Sequence, residues 1–521
     1  MDQPPSIAQA KWFPGGCVAS PHYLASAAGL EVLTAGGNSL DAAIATNLTL
    51  GVVAPYMCGY GGDLFAIVWK EGPAGYNGSG RAPAAATPDR IQDLAGASIM
   101  PTFGPLTVTV PGAVEAWFAL LERYGSRSFG DLAQTPLRYA REGFVVSRQA
   151  MSSIAAARER FRGFKEWQEV YGGVREGEIL RQPALARTIE ALCNEGRDAF
   201  YRGSIGNAIV KHLEQVGGVM TNDDFAGHRG EWVEPLRSTY RGVEVLEMPP
   251  NSPGVTALEA LGIVQESGPL PPDGLDRQHL LIEAMKLALA DRDAYLTDSD
   301  AMTIPTDRLI SPDWVRRRFE SIDTTRAATP PLARSLPAGT AYMCAADANG
   351  MLVSLIQSNW MGFGSGVTVP GWGVNLHNRG SYFSLDPENP NVIAPRKRTL
   401  HTLVPAMALR SGEPWLVFGT MGGDGQVQTH LQLLTRTIDD GLDVQEAISA
   451  PRWVVSPEDW SVTAESRFDR PTLDGLRERG HLLSVTDPYD ALMGHAHAIE
   501  VAERGFFAAT DPRAEGAALG L

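Results

Sequence analysis

The residues best placed to do chemistry in this chain stand at a junction. Residues 336–350 read LPAGTAYMCAADANG: a loose Pro/Ala/Gly run ends on Gly339-Thr340 and turns at once into a strand-like segment. A threonine hydroxyl beside a flexible glycine can attack the preceding carbonyl and pass through an ester. Hydrolysis of that ester leaves a chain that begins with threonine. The new α-amine, with an ordinary pKa of about 7.7–8, can take the proton of its own hydroxyl, so the nucleophile needs no adjacent histidine. Spacing alone leaves the plainer alternative open, that Thr340 is a strand former or a cap.

Other chemistries find less support. The stretches GYGGD and GFGSG lack the Lys-Ser/Thr of a phosphate loop and open no dinucleotide-binding unit, so they read as tight turns and points of close backbone approach. His495 and His497 alternate as on one strand face but have no third ligand. No GxSxG elbow and no HExxH occur. Cys17, Cys58, Cys193 and Cys344 are scattered without metal spacing and read as reduced, buried, small apolar residues. No metal or cofactor is expected.

A nucleophile at residue 340 needs slack before it and a rigid platform after it. Residues 324–340, TTRAATPPLARSLPAGT, have no apolar period and read as an exposed linker. AYMCAADANGMLVSLIQS reads as a hairpin turning at Asn349-Gly350. Upstream, HYLASAAGLEVLTAGG and NSLDAAIATNLTLGVVAP read as two helices about a glycine turn, with Asn38 or Ser39 as N-cap. GYGGDLFAIVWKEG reads as a turn and a strand, RSTYRGVEVLEMPPNSPG as a strand closed by a loop, and HLLIEAMKLALADRDAYL as an amphipathic helix with Leu280, Ala284, Leu287 and Ala288 on one face. Strands grouped at 340–420 among helices predict a layered α/β or α+β architecture.

Composition bounds the partners. The chain has 521 residues and a net charge of −16, which argues against nucleic-acid binding and against attachment to an anionic membrane. The N-terminus has no basic region followed by an apolar run, and no stretch reaches the roughly 20 apolar residues of a membrane span, so a cytoplasmic protein is expected.

Over nearly its whole length the sequence resembles the γ-glutamyltranspeptidase family of N-terminal-nucleophile hydrolases. The stretches come in the family's order: ASAAGLEVLTAGGNSLDAAIATNLTLGVVAP, GYGGDLFAIVW, RAPAAATPD, TVTVPGAVEAWFALLERYG, YRGVEVLEMPPNSPG, then GTAYMCAADANGMLVSLIQSNWMGFGSGVTVPGWGVNLHNR, PRKRTLHTLVPAM, GTMGGDGQVQTHLQLLTRTIDDGLDVQEAISAPRW and ATDPR. The resemblance implies an α+β fold, a four-layer αββα sandwich made as one intertwined unit from two autoprocessed chains. Cleavage at Gly339-Thr340 would give a large chain, 1–339, ending in a flexible tether at 324–339, and a small chain, 340–521. The two would form a heterodimer, with a dimer of heterodimers as the alternative. Thr340 would be the nucleophile, Ser358 a helper hydroxyl, and Gly422-Gly423 the oxyanion hole, with Asp424 following them at the substrate site.

Departures from the family pattern bear on the substrate. Where γ-glutamyl enzymes carry an arginine for the glutamyl carboxylate, this chain reads SGRAP, with Ser79 in the arginine's place and Arg81 two residues on. The aspartate for the glutamyl amine is replaced by Tyr382, the paired serines by His401-Thr402, and the asparagine after the helper hydroxyl by Trp360. After the nucleophile, Ala341-Tyr342 replaces Thr-His. A zwitterion needs a partner for each charge, because an unpaired buried charge costs several kcal/mol. The expected substrate is therefore a small acidic amide without an α-amine, as in the family's oxamate-amidohydrolase-like branch. Arg81, Arg379 and His401 would hold its carboxylate, and Trp360 and Tyr382 would narrow the pocket. The alternatives are a γ-glutamyl hydrolase or transpeptidase, an acylase for a bulkier acid, and a non-enzymatic relative that only binds a ligand.

Overall fold

The computed structural model describes residues 10–329 and 339–521. Residues 330–338, most of the expected tether, lie outside the described residues. The first helix pair forms as the glycine turn predicts, Tyr23–Thr34 and Ser39–Val53, and Asn38 is the N-cap. Its side chain accepts from the N–H of Asp41 while Asp41 accepts from the N–H of Asn38, a reciprocal arrangement that satisfies two otherwise orphaned donors.

Two seven-stranded sheets carry the chain. One runs in the order Ala517–Gly520, Gly16–Ser20, Gly339–Asp347, Leu352–Trp360, Asp63–Trp69, Pro73–Asn77, Glu231–Val233. The other runs Lys11–Phe13, Gly505–Thr510, Ala496–Ala502, Glu413–Thr420, Ala406–Arg410, Val243–Glu247, Leu236–Tyr240. Residues on their facing sides form one apolar layer: Phe65, Tyr342, Cys344 and Ile356 from the first sheet meet Leu246, Met407, Val417 and Ile499 from the second. Helices Tyr23–Thr34 and Ser39–Val53 cover the outer face of the first sheet; Gly254–Gln265, Leu275–Tyr295 and Gly425–Ile438 cover the second. This is the expected αββα sandwich. Its central strands read as apolar runs because both of their faces are buried.

Three local expectations are corrected. RSTYRGVEVLE is a hairpin, Leu236–Tyr240 against Val243–Glu247, because Arg241 and Gly242 both take positive φ and turn the chain. Leu275–Tyr295 is a helix but not a one-sided one: it is buried nearly all round, from Arg277 to Arg292, and Leu287 is one of its less buried residues. Its buried charged residues are paired, Lys286 with Glu283 inside the helix and Arg277, Asp291 and Arg292 with Asp440, Arg318 and Asp424 of other segments. Cys193 is half-buried, whereas Cys17, Cys58 and Cys344 are buried; all four are free thiols.

The core buries neutral histidines, and this sets an acid limit. Burial pushes His22 and His495 down to about 4, and His228, His401 and His497 down to about 3. Between the unfolded value of about 6.5 and these folded values the unfolded chain binds more protons, so stability falls as pH falls. At pH 5 each such histidine costs about 2 kcal/mol. Scanning calorimetry should therefore give a Tm that is highest above pH 7 and drops steeply between pH 6.5 and 4. A flat Tm from pH 7.5 to 5 would contradict this.

Candidate active site

Thr340 is held where two strands fall out of step. Gly339 pairs with Trp360 and Ala341 with Gln357, so Thr340 sits at a bulge, a device that re-aims one side chain. Only glycine fits before it, since a Cβ on Gly339 would lie 2.8 Å from the carbonyl oxygen of Tyr56 and 3.0 Å from the nitrogen of Gly362. On the facing strand, Ser358 Oγ accepts from Thr340 Oγ1 at 3.1 Å and from the N–H of Trp360 at 2.7 Å. It donates to the carbonyl oxygen of Gly339 at 2.7 Å. One donor and two acceptor positions exhaust a hydroxyl. The threonine hydroxyl and the carbonyl before it are thus bridged by one serine. Such a bridge fixes the orientation of the hydroxyl and polarises the carbonyl. Trp360 takes φ +75, a conformation that costs a non-glycine residue about 1–3 kcal/mol.

Gly422 and Gly423 follow the Glu413–Thr420 strand, with φ +137 and +57, and precede the 14-residue helix Gly425–Ile438. Among the described residues neither N–H has a hydrogen-bond acceptor. Two N–H groups at the positive end of a helix suit a developing oxyanion. The end of their strand lies against the start of the Thr340 strand, where Gly419 leaves room for the ring of Tyr342.

Arg379 is the group with capacity to spare. It is 1% exposed, donates through Nη1 to Thr402 Oγ1 at 3.3 Å, and has no partner for Nη2 among the described residues. Its guanidinium lies 4.0 Å from the centre of the Trp360 ring. Burial lowers its pKa, opposed by the charges of Asp63 and Asp424. Tyr382 meets the Trp360 ring edge-on at 5.2 Å, and Trp360 Nε1 donates to Ser381 Oγ at 3.1 Å.

The other expected carboxylate holders are committed elsewhere. His401 Nδ1 accepts the N–H of Thr402 and of Leu403, which fixes its proton on Nε2, and Nε2 donates to Asp63 Oδ2 at 3.3 Å. Arg81 is 32% exposed, pairs with Glu231 at 2.9 Å and Asp298 at 3.2 Å, and donates to the carbonyl of Arg396. Ser79 donates to Asn77 and Asn251. Asp424 accepts from Arg292 at 2.5 Å and from the Tyr382 hydroxyl at 2.7 Å.

Sequence reasoning missed Asp63, the last residue of GYGGD. Its Oδ1 accepts the N–H of Gly80 and of Gly112, and its Oδ2 faces His401 Nε2 and, at 3.4 Å, His377 Nδ1. Burial would raise its pKa, but the two histidines overcome this and hold it well below the usual carboxylate range. Asp63 pairs with Ser358 across the sheet, so it anchors the His401 loop beside the strand that carries Ser358. The glycines before it allow the close approach expected of them: a Cβ on Gly61 would lie 2.2 Å from the carbonyl oxygen of Asn375, and one on Gly62 2.4 Å from that of Ser358.

Among the described residues one group, His279, Glu283 and His481, comes close enough to hold a metal ion. The ammonium of Lys286 already bonds Glu283 at 2.8 Å and His481 at 3.2 Å, which is the place a cation would take.

The sequence profile of the gamma-glutamyltranspeptidase family matches residues 25–521. The chain belongs to that family. A glutathione hydrolase-like proenzyme of Bacillus subtilis, YwrD, is 40% identical over 97% of this chain and 98% of its own. The oxamate amidohydrolase proenzyme of Klebsiella pneumoniae is 36% identical over the same shares. A cephalosporin acylase from Bacillus halodurans superposes with a TM-score of 0.95 at 37% identity, covering all of this chain and 98% of its own. This gamma-glutamyltranspeptidase family member is accordingly an enzyme of the amide-cleaving and acyl-transferring kind. Among its described residues no helix is long and apolar enough to cross a membrane.

Proposed function

We propose that this chain is the precursor of an autoprocessing amidohydrolase that acts on amides of small, carboxylate-bearing acids, oxamate being the simplest. The observation that carries the reading is Arg379, a buried guanidinium with one N–H face unspent. An isolated buried cation is costly, and a substrate carboxylate bonded to it would relieve that cost. The family's range, with oxamate amidohydrolase and acylase among the relatives, supports the same view.

In the precursor, Thr340 Oγ attacks the Gly339 carbonyl carbon while Ser358 holds that carbonyl oxygen. The Gly339–Thr340 C–N bond breaks, an ester forms, and water cleaves it. A large chain ending at Gly339 and a small chain beginning at Thr340 remain together, since strands of both share each sheet. In the mature enzyme the Thr340 α-amine takes the proton of Oγ, which attacks the substrate amide. The N–H groups of Gly422 and Gly423 receive the oxyanion, the C–N bond breaks, and the amine leaves with the proton. Water then cleaves the acyl-enzyme to give the acid and restore Thr340.

Ser358→Ala should slow self-cleavage by about 10²–10³, the usual effect of removing one donor from an oxyanion. Denaturing gels sampled over hours after synthesis would measure this, and cleavage at the wild-type rate would count against the role. A γ-glutamyl substrate would leave its ammonium beside Trp360 and Tyr382 with no carboxylate in the aspartate's place. Oxamate and glutathione incubated side by side test the reading. Ammonia from oxamate without glutamate from glutathione is expected; the reverse would favour a glutathione hydrolase, as the name of the Bacillus subtilis relative suggests.

A further inference from the structure

Arg379 and its hydroxyl partner Thr402 each follow closely on a histidine, Arg379 on His377 and Thr402 on His401. Both imidazoles face one oxygen, Asp63 Oδ2: His401 Nε2 at 3.3 Å and His377 Nδ1 at 3.4 Å. The other ring nitrogen of His377 lies 2.9 Å from the carbonyl oxygen of Thr109. Regular structure does little to hold either segment here. Residues 397–405 form no helix or strand, and Arg379 opens a single helical turn, Arg379–Tyr382. Asp63 itself cannot swing. Its Oδ1 is spent on the N–H groups of Gly80 and Gly112, and its strand is paired along the strand that carries Ser358. The far side of His401 completes the link. With the proton on Nε2, Nδ1 accepts the N–H of Thr402 at 3.1 Å and of Leu403 at 3.2 Å. Thr402 Oγ1 then accepts from Arg379 Nη1, the one hydrogen bond of that guanidinium among the described residues.

We propose that Asp63 is a positioning residue for the substrate: by fixing the tautomer of His401 and facing His377 it sets the direction of the Arg379 fork, and its carboxyl takes no part in self-cleavage. This rests on the preceding reading that Arg379 holds the acyl carboxylate. Self-cleavage runs through Thr340, Ser358 and the carbonyl of Gly339, whose side-chain hydrogen bonds do not involve the Asp63 carboxyl. Asp63→Asn isolates the link. Its amide oxygen keeps the N–H groups of Gly80 and Gly112, so its own N–H points at His401 Nε2. Two donors cannot share that contact, so the imidazole proton moves to Nδ1, where it meets the N–H groups of Thr402 and Leu403. Thr402 shifts and the fork turns away.

With oxamate as substrate, Asp63→Asn should raise KM about 10–100-fold, the scale of a misplaced binding group, while kcat stays within about threefold and self-cleavage keeps its wild-type rate. In an Arg379→Met background the same substitution should change kcat/KM less than about twofold, because the group it directs is gone. Thr402→Val, which deletes only the hydroxyl, should raise KM in the same way, and Thr402→Ser should keep the wild-type value; this pair serves if Asp63→Asn does not fold. Slower self-cleavage together with lower kcat in Asp63→Asn, an equal loss in both backgrounds, or a wild-type KM in Thr402→Val overturns the inference. Nitrogen-15 NMR of labelled histidines reads the link without any substrate. A move of the His401 proton from Nε2 to Nδ1 in Asp63→Asn is expected, and an unchanged tautomer overturns the inference even if oxamate is hydrolysed. Failure of the acyl reading shows elsewhere: Arg379→Met alone would turn over oxamate at the wild-type rate, which removes the acyl assignment and this role of Asp63 with it.

Discussion

Thr340→Ala should leave a single uncleaved chain and no measurable amide hydrolysis. The same hydroxyl is asked to do two things, to attack Gly339 in the precursor and to attack substrate in the product, so its loss removes both. Removing the nucleophile of a well-assembled site typically costs about 10⁶ in kcat. Thr340→Ser keeps the oxygen and should still cleave itself, more slowly, because the hydroxymethyl group rotates more freely than a threonine side chain fixed at χ1. The uncleaved alanine variant should also be folded, since nothing in the two sheets requires the break. Circular dichroism and gel mobility read the two properties separately. A Thr340→Ala chain that still splits at residue 339 would show that another group attacks.

Arg379→Met should reduce kcat/KM for carboxylate-bearing amides by about 10²–10³, or about 2.7–4 kcal/mol, inside the range of about 2–5 kcal/mol lost when one partner of a buried charge pair is removed. The same substitution should raise the Tm of the ligand-free protein. In the free protein the guanidinium has one hydroxyl partner and a tryptophan face, and no carboxylate among the described residues is bonded to it. Replacing such a group with a packed apolar chain is often neutral or stabilising by about 1–4 kcal/mol. Loss of activity together with gain of stability is hard to obtain from mere misfolding. Arg379→Lys should not restore activity, because an ammonium lacks the planar fork that spans Thr402 and a ligand. Neutral amides of similar size should be turned over by wild type and Arg379→Met at similar, low rates. A variant that is both less stable and equally selective would move Arg379 into a purely structural role.

Much of the fold was legible because its signals are local. The Asn38 cap, the Asn349-Gly350 turn and the alternation of Gly/Pro breaks with apolar runs each state their element within a few residues. What was not legible depended on partners far away in sequence. Leu275–Tyr295 carries a polar face that looks solvent-directed, yet that face lies among buried ion pairs such as Lys286 with Glu283 and Arg292 with Asp424. The site divides in the same way. The Gly339-Thr340 junction could be read directly, because the chemistry is between neighbours. That His401 and Arg81 are committed to other partners could not, since Asp63 lies 338 residues from His401 and Glu231 lies 150 from Arg81. Arg379 stood among three equal candidates in the sequence and stands apart only when the hydrogen bonds of each are counted. Asp63 was hidden in a glycine run that explained itself as a turn.

N-terminal sequencing of the smaller band from purified protein tests the central claim most directly. The account predicts two chains, the smaller one beginning Thr-Ala-Tyr-Met-Cys. A single chain that stays intact over days, or a small chain beginning at any other residue, would contradict it.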